Sequence, residues 1–182
     1  MKDLSHVILD LVQNSISADA DQVSIEVFKS KKQNLLSVCI TDNGKGMNEQ
    51  EVKKSTDPYY TTRTTRDIGL GLPLIKMMAK QADGDFKINS KPQNGTCVYF
   101  SFALEHWDCP PVGDLAATFI SFFVLQQDIT ISLKVDNGSE SFELSNQEIY
   151  DELSADQITK QWVLDWVKEL IEDNIMKILR EG

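Results

Sequence analysis

Apolar residues in the first hundred positions recur with two periods, one typical of helices and one typical of strands. The segments 3–18 and 73–82 place apolar residues three or four positions apart, which predicts two amphipathic helices. Four other segments alternate apolar and polar residues or are rich in branched residues, which predicts strands; they are QVSIEVFKS, NLLSVCITD, ADGDFKINS and GTCVYFSFAL. Turns at Asn34 and KPQNG join these strands into two hairpins. The order helix, two strands, helix, two strands predicts an α+β fold in which helices cover one face of a sheet.

A long polar stretch from Asn43 to Arg66 separates the two halves of this pattern. Loops of that length in a compact domain are usually functional lids or disordered segments. Within the stretch, NEQEVKK predicts a short helix. The stretch is therefore a candidate for a lid over a binding site.

The periodicity breaks near residues 105–114, where paired prolines predict a domain boundary. We expect an N-terminal domain at residues 1–105 and a C-terminal α+β extension at residues 106–182. Within the extension, the pattern predicts a buried helix over 115–126, a hairpin around the turn Asp-Asn-Gly-Ser, and a final helix over about 155–180.

Two kinds of local signal refine the picture of the extension. Ser145 with Glu148, and Ser154 with Gln157, predict capping boxes that begin two helices. Three tryptophans either pack in the core, which is the favoured interpretation, or face a partner; they are Trp107, Trp162 and Trp166.

Composition and charge restrict the partners. The chain has 182 residues, 41% hydrophobic and 25% charged, and its net charge of −10 disfavours nucleic acid and anionic membranes, although Arg63 and Arg66 form a local basic patch. The three cysteines include no CxxC pair, so we expect buried free thiols in a reducing compartment. The N-terminus lacks the basic start of a signal peptide, and the most apolar stretch is too short to span a bilayer. We expect a cytoplasmic protein.

Asp10 and Asn14 are four residues apart and therefore share one face of the first helix. A carboxylate in this position can accept a proton from water or a hydroxyl, and an amide oxygen can ligate a hard cation such as Mg²⁺. For this pair alone a solvated helix edge is the favoured interpretation, so these two residues by themselves do not indicate a site.

The segment TDNGKGM ends the second predicted strand at Asp42 and continues with Gly44 and Gly46. Glycines permit positive φ angles and let a ligand approach the backbone closely. A carboxylate at this point can accept a hydrogen bond from an exocyclic amine such as that of adenine. The alternative is a simple turn, since Asp-Asn-Gly is a common turn sequence; we interpret the same tripeptide at 136–138 as a turn only.

The segment DIGLGLPLIKMMAK places two glycines directly before the second predicted helix. The backbone N–H groups at a helix N-terminus lack partners and carry the positive end of the helix dipole, so they bind phosphate. We expect Pro73 at the first helical position, where its missing N–H costs nothing. The alternative is a flexible turn into a core helix. Thr96, at the start of an apolar strand, can turn its hydroxyl toward a ligand.

The order of these segments resembles the GHKL superfamily of ATP-binding domains, which includes gyrase, heat-shock chaperones, bacterial histidine kinases and MutL. LDLVQNSISADA is similar to the family's asparagine box, especially that of MutL, and TDNGKGM is similar to its first glycine box. DPYYTTRTTRDIGLGLPLIKMMAKQADGDFKINSKPQNGTCVYFSF resembles the lid, second glycine box and Gly-Thr strand of histidine kinases. The resemblance covers residues 4–104 and implies a two-layer α/β sandwich of the Bergerat type.

The resemblance also implies a site for ATP and Mg²⁺. In such a site, Asn14 ligates Mg²⁺, while Asp42 binds the adenine amine with the help of Thr96. Gly44 and Gly46 make room for the base and ribose. Four consecutive backbone amides meet the phosphates, those of Gly69, Leu70, Gly71 and Leu72. The remaining nucleotide contacts lie in the first glycine box and in a lid over residues 48–68; they are Met47, Thr61, Thr62 and Arg63, with Tyr59, Tyr60 and Arg66 as further candidates.

Asp10 falls where the ATP-hydrolysing members of the family carry a catalytic glutamate, so we assign the catalytic role to Asp10 despite its shorter side chain. We expect no phosphoacceptor domain in this chain, since kinases of this family carry it on a separate helical domain. Two functions remain open. The first is a signalling or regulatory protein of the histidine-kinase-like ATPase family that hydrolyses ATP slowly or phosphorylates a partner protein in trans, with a homodimer possible. The second is a non-catalytic nucleotide-sensing module that regulates a partner. A purely structural protein would require that ATP does not bind.

Overall fold

The structure, a computed structural model, describes residues 3–57, 71–125, 128–153, 155–158 and 160–181, and these form seven helices and six strands. The helices are α1 (Leu4–Ser17), α2 (Glu49–Ser55), α3 (Gly71–Gln81), α4 (Leu115–Leu125), α5 (Asn146–Glu152), α6 (Ala155–Ile158) and α7 (Gln161–Glu181). The strands are β1 (Gln22–Ser30), β2 (Leu35–Asp42), β3 (Phe86–Ser90), β4 (Thr96–Ala103), β5 (Thr130–Asp136) and β6 (Ser141–Ser145).

The strands form one sheet in the order β3-β4-β2-β1-β5-β6. The two predicted N-terminal hairpins and the hairpin of the extension pair antiparallel, as do β2 and β4. The exception is β1 with β5, which is parallel and sets Ile25 opposite Leu133. The extension therefore adds two strands to the edge of the N-terminal sheet.

The helices form a second layer over the sheet. Helices α3, α1, α4 and α7 contact one another in that order, which follows the order of the strands. In β1, Val23 and Ile25 are buried while the intervening side chain is not, because successive side chains point to opposite faces of a strand. Leu11 of α1 is buried in the same core. The predicted α+β sandwich is confirmed, and its core fixes the helix that carries Asp10 and Asn14.

Two predicted helix positions are wrong. The segment 155–180 is not one helix, because α6 ends at Ile158 and the N–H of Lys160 donates to the carbonyl of Gln157 in a turn (2.9 Å) before α7 begins. Pro73 is the third residue of α3 rather than the first. It still lies in the first turn, where a backbone N–H has no acceptor within the helix, so the proline is tolerated there.

One of the two predicted capping boxes is confirmed. The hydroxyl of Ser145 accepts the N–H of Gln147 at 3.2 Å, and the carboxylate of Glu148 accepts the N–H of Ser145 at 2.9 Å. Ser154, which the sequence pairs with Gln157, lies outside the described residues. The short helix predicted from NEQEVKK is α2, and a capping box also begins it.

The three tryptophans are exposed, which contradicts the favoured interpretation of core packing. Trp107 is 98% exposed in the loop after β4, while Trp162 and Trp166 are 56% and 45% exposed on α7. The helix meets the core through other residues, including Val163 and Val167, which are fully buried. The apolar pattern of α7 is therefore broader than its buried face, and the surplus aromatic area faces solvent.

The expectations from composition have mixed outcomes. Cys39, Cys97 and Cys109 are free thiols, as predicted, but each is partly exposed rather than buried. None of the described helices is both long and apolar enough to cross a lipid bilayer. The most apolar stretch instead forms α4, which buries Phe119 in the core.

The start of α1 is fixed by Asp3. Its carboxylate accepts the backbone N–H of His6 at 3.1 Å and the hydroxyl of Ser5 at 2.7 Å, and Nδ1 of His6 lies 2.6 Å from the same oxygen. Nearby, the N–H of Leu4 donates to the carbonyl of Pro111 at 3.0 Å and ties the helix to the loop before α4. Burial raises the pKa of Asp3, but hydrogen bonds from Ser5 and His6 outweigh it and lower the pKa to about 2.

The lowered pKa of Asp3 predicts an acid-dependent contribution to stability. Because the pKa lies below the ordinary value of 3.8, ionised Asp3 stabilises the fold fully above about pH 4, and this contribution is lost as the pH falls toward 2. We expect the free energies of unfolding of the wild type and the Asp3→Asn variant, measured in urea, to differ above about pH 4 and to converge near pH 2. A difference that stays constant over this range would contradict the assignment.

Candidate functional site

Asp42, the last residue of β2, is held by three hydrogen bonds. Its Oδ1 accepts the backbone N–H groups of Gly44 at 3.0 Å and Thr96 at 3.1 Å, and its Oδ2 accepts the hydroxyl of Ser15 at 2.8 Å. These donors come from the glycine turn, from the paired strand β4 and from α1. An ionised carboxylate has about four acceptor positions, so Asp42 is fixed in place and retains capacity to accept a further hydrogen bond from a ligand.

The turn after Asp42 lies against the β3–β4 turn and the end of α1. The N–H of Lys45 donates to the carbonyl of Ala18 at 2.9 Å, and the N–H of Gly95 donates to the carbonyl of Gly44 at 3.0 Å. A Cβ at Gly44 would lie 2.7 Å from the Ala18 carbonyl oxygen, and one at Gly46 would lie 2.0 Å from the Lys91 carbonyl oxygen. The glycines are therefore required for the close approach of three backbone segments around Asp42.

Ser90 joins this turn to Thr96. Its hydroxyl accepts the N–H of Met47 at 2.8 Å and donates to the carbonyl of Gly95 at 3.0 Å. The Thr96 hydroxyl lies 2.9 Å from the Ser90 hydroxyl oxygen. Because Ser90 already donates its proton to Gly95, the Thr96 hydroxyl is the donor in this contact. The structure thus brings together predicted site residues from β2, the glycine turn and β4.

Ser15 and Ser90 were not predicted as members of the site. Ser15 had a visible signal, since it continues the helical spacing of the buried apolar residues of α1 and is itself only 4% exposed. A polar residue at a core position needs a hydrogen-bonding partner, and here the partner is Asp42. Ser90 merely ends a strand, and nothing in the sequence distinguishes it from other strand-end serines.

The predicted phosphate side of the site is described in part. Asp10 is half-buried and Asn14 is exposed on α1, and this helix packs against α3, which begins with Gly71 and Leu72. The other residues predicted for this side lie outside the described residues; they are Tyr59, Tyr60, Thr61, Thr62, Arg63, Arg66, Gly69 and Leu70. Their roles remain predictions from the resemblance.

Gly71 offers a test that separates nucleotide binding from stability. A Cβ at Gly71 would have no heavy atom of the described residues within 4 Å. We expect Gly71→Ala to keep the melting temperature or raise it, because alanine favours a helix by about 1 kcal/mol over glycine. We also expect it to weaken ATP binding about tenfold or more by crowding the phosphates. Unchanged affinity, measured by calorimetry, would argue against a phosphate site at this helix end.

Comparisons with known proteins agree with this geometry. The family described as "Histidine kinase-, DNA gyrase B-, and HSP90-like ATPase" matches residues 1–106. A putative sensor protein of Shewanella frigidimarina is 34% identical over 107 residues, which are 58% of this chain and 16% of that protein. The sensor histidine kinase YxdK of Bacillus subtilis is 33% identical over 106 residues, 54% of this chain and 32% of that protein.

The fold comparison extends into the C-terminal part. The crystal structure of the N-terminal domain of a DNA repair protein superposes with a TM-score of 0.55 over 80% of this chain and 53% of that chain, at 18% identity. At this identity the likeness concerns the fold alone. The matched segments span only 16% of the Shewanella protein and 32% of YxdK, so this chain corresponds to a minor part of each of these relatives. Since the family match covers more than half of the sequence, this chain belongs to the histidine kinase-, DNA gyrase B- and HSP90-like ATPases.

Proposed function

We propose that this chain binds ATP and Mg²⁺, with the adenine base at Asp42 and Mg²⁺ at Asn14. It acts as a signalling or regulatory ATPase that hydrolyses ATP slowly or phosphorylates a partner protein in trans. The observation that carries the proposal is the Asp42 carboxylate, which three donors fix at the end of β2 beside a turn that only glycine can form. Family membership supports ATP as the ligand, and the sensor histidine kinases among the relatives support a signalling role.

The residues around Asp42 fit an adenine base. Adenine carries an exocyclic amine that can donate to the free acceptor capacity of Asp42. Thr96, whose backbone N–H donates to Asp42, also carries a hydroxyl that can serve as a second polar contact. Gly44 and Gly46 keep side chains away from the turn that a base and ribose would approach. Guanine carries a carbonyl oxygen at the position of that amine, so a carboxylate that faces this position of the base favours adenine over guanine.

The residues on α1 and α3 fit the phosphates. The exposed amide oxygen of Asn14 suits Mg²⁺, which prefers oxygen ligands and retains several waters. Bound there, Mg²⁺ would neutralise phosphate charge. Gly71 and Leu72 begin a helix whose N–H groups can donate to phosphate oxygens. In this proposal Asp10, one turn before Asn14 on α1, orients or deprotonates an attacking water or hydroxyl.

The ATPase role is tested by Asp10→Asn. We expect the variant to bind ATP with less than about threefold change in affinity while phosphate release or transfer falls about a hundredfold or more, because a general base contributes that much. Binding is measured by calorimetry, and turnover is measured as phosphate release with candidate partner proteins. Asp10→Glu is the matched control, since it keeps the carboxylate and adds reach, and it should retain or raise turnover. Equal turnover in the wild type and Asp10→Asn would remove Asp10 from the mechanism.

A second function is favoured by two observations. Asp10 is shorter than the glutamate that the family resemblance places there, and the region after residue 105 exposes Trp107, Trp162 and Trp166. Large exposed aromatic side chains are typical of protein-binding surfaces. The alternative is therefore a module that binds ATP without turning it over and reports the nucleotide to a protein partner through residues 106–182. ATP binding without any turnover by the wild type would favour this alternative.

A cytoplasmic location and a preference for protein over nucleic acid complete the proposal. The net charge of −10 repels both DNA and anionic lipid surfaces, which supports these two points. Division of the chain into a nucleotide-binding domain at residues 1–105 and an extension at 106–182 is part of the same proposal, and the end of the family match at residue 106 supports it.

A further inference from the structure

Two of the three cysteines lie side by side on strands that end at the candidate site. Cys39 of β2 and Cys97 of β4 have their Sγ atoms 3.5 Å apart. In the sheet register, Cys39 lies opposite Tyr99 and Cys97 opposite Thr41, so the two cysteines are diagonal neighbours on one face. Both are free and partly exposed, so small oxidants can reach them.

We propose that Cys39 and Cys97 form a reversible dithiol–disulfide site whose oxidation by a peroxide loosens the hydrogen bonds around Asp42. The first step oxidises one thiol to a sulfenic acid and reduces the peroxide O–O bond, releasing water when the oxidant is hydrogen peroxide. The second sulfur then attacks the sulfenic sulfur, the S–O bond breaks, and the hydroxyl leaves as water with the remaining thiol proton. Two electrons and two protons pass from the thiols to the peroxide, and a thiol reductant reverses the change.

The distance between the sulfurs couples this reaction to the site. A disulfide holds its sulfurs about 2.05 Å apart, so the pair must close by about 1.5 Å. The Cα atoms of diagonal neighbours on two strands are farther apart than those of directly opposite residues. Formation of the disulfide therefore draws the backbones of β2 and β4 together locally. Asp42 lies three residues after Cys39 on β2, and Thr96 directly precedes Cys97 on β4. The N–H of Thr96 donates to Asp42 at 3.1 Å. Hydrogen bonds near 3 Å weaken with shifts of this size.

The surroundings of Cys39 explain why the reduced pair persists. Burial and, to a smaller extent, the adjacent Cys97 thiol raise the pKa of Cys39 to about 11, so Cys39 stays protonated at neutral pH. The charged and titratable groups on the neighbouring strands are Glu26 opposite Cys39 on β1, Tyr99 opposite it on β4, and Lys87, which lies 5.8 Å from the Tyr99 ring. Thiolate is the attacking species, so cross-linking is expected to accelerate as the pH rises above neutral.

The experiment treats the full chain with hydrogen peroxide, blocks remaining thiols, and identifies the linked peptides by mass spectrometry. Wild type and Cys109→Ser should lose the mass of two hydrogen atoms and yield a Cys39–Cys97 peptide, while Cys39→Ser and Cys97→Ser should not. Amide hydrogen exchange is the second readout. After oxidation, the N–H groups of Gly44 and Thr96 should exchange about tenfold faster, as expected when a hydrogen bond to a charged group is weakened, and dithiothreitol should restore the slow rate.

Two results would overturn the proposal: the absence of a Cys39–Cys97 link in oxidised wild type, or a link that leaves exchange at Gly44 and Thr96 unchanged. Neither readout depends on nucleotide. The consequence for ATP rests on the proposed function, and there we expect the oxidised protein to bind ATP about tenfold more weakly than the reduced protein. Failure of the reduced protein to bind ATP would refute the proposed function and leave the two thiol readouts as the test of this site.

Discussion

Asp42→Asn is expected to lower the affinity for ATP by about a hundredfold or more while leaving the protein folded. The asparagine can still accept the N–H groups of Gly44 and Thr96 through Oδ1, and its Nδ2 can donate to the Ser15 hydroxyl, which is free to rotate. The variant thus keeps its internal hydrogen bonds. It loses the charge and one acceptor oxygen, so the adenine amine loses its partner at a cost of about 3 kcal/mol.

The chain supplies a matched control for this variant. Asp136 begins a second Asp-Asn-Gly turn, and its Oδ1 accepts the N–H of Gly138 at 2.6 Å, as Oδ1 of Asp42 accepts the N–H of Gly44. Asp136→Asn should leave ATP affinity unchanged. Calorimetry on the wild type and both variants, with circular dichroism to establish folding, is the measurement. Full ATP affinity in a folded Asp42→Asn protein would exclude Asp42 as the adenine partner.

Gly95→Ala is expected to cost the fold about 3 kcal/mol or more. Gly95 has φ +70°, and a Cβ there would lie 1.8 Å from the carbonyl oxygen of Asp42. That contact is with backbone, so only a shift of β2 or of the β3–β4 turn can relieve it. The free energy of unfolding from urea titration measures the effect, and any folded fraction should bind ATP weakly because the same shift displaces Asp42.

Gly138→Ala is the control that separates backbone strain from the close approach. Gly138 has φ +87°, but the nearest atoms to an added Cβ are in the Phe28 ring at 3.8 Å, an ordinary contact. We expect this substitution to lower the free energy of unfolding by only about 1–2 kcal/mol, which is the cost of a left-handed backbone conformation for a residue with a Cβ. Equal losses in the two variants would show that packing of the turn against Asp42 contributes nothing.

The N-terminal helices and strands follow from the sequence because each is one clear period with a clear end. In α1, the apolar spacing and the Asp3 cap agree, and in β1 the alternation places Val23 and Ile25 on one face. The sequence predictions that are wrong concern features that depend on tertiary packing rather than on local sequence. The apolar pattern of residues 155–180 gives no sign of the turn at Lys160. The same pattern predicts a core position for Trp162 and Trp166, but Val163 and Val167 fill the core in the structure.

Motifs in the sequence identify the predicted site residues, but not what holds them. Asp42, Gly44 and Gly46 lie within five consecutive residues, so they are close together in space whatever the rest of the fold. Two of the three donors to Asp42 are Ser15 and Thr96, which lie 27 and 54 residues away along the chain. Their approach depends on which strands become neighbours and on how α1 crosses the sheet, and neither is a local property. Ser90 illustrates the same limit, since its role depends on the path of the turn that carries Met47.

Titration of the folded wild-type protein with ATP in the presence of Mg²⁺, beside an identical titration with GTP, tests the central claim most directly. We expect ATP to bind one to one with a dissociation constant below about 1 mM. We expect GTP to bind at least about tenfold more weakly, because its base presents a carbonyl oxygen to Asp42 when it lies in the orientation of adenine. Absence of ATP binding at millimolar concentration, or equal binding of the two nucleotides, would contradict an adenine site at the end of β2.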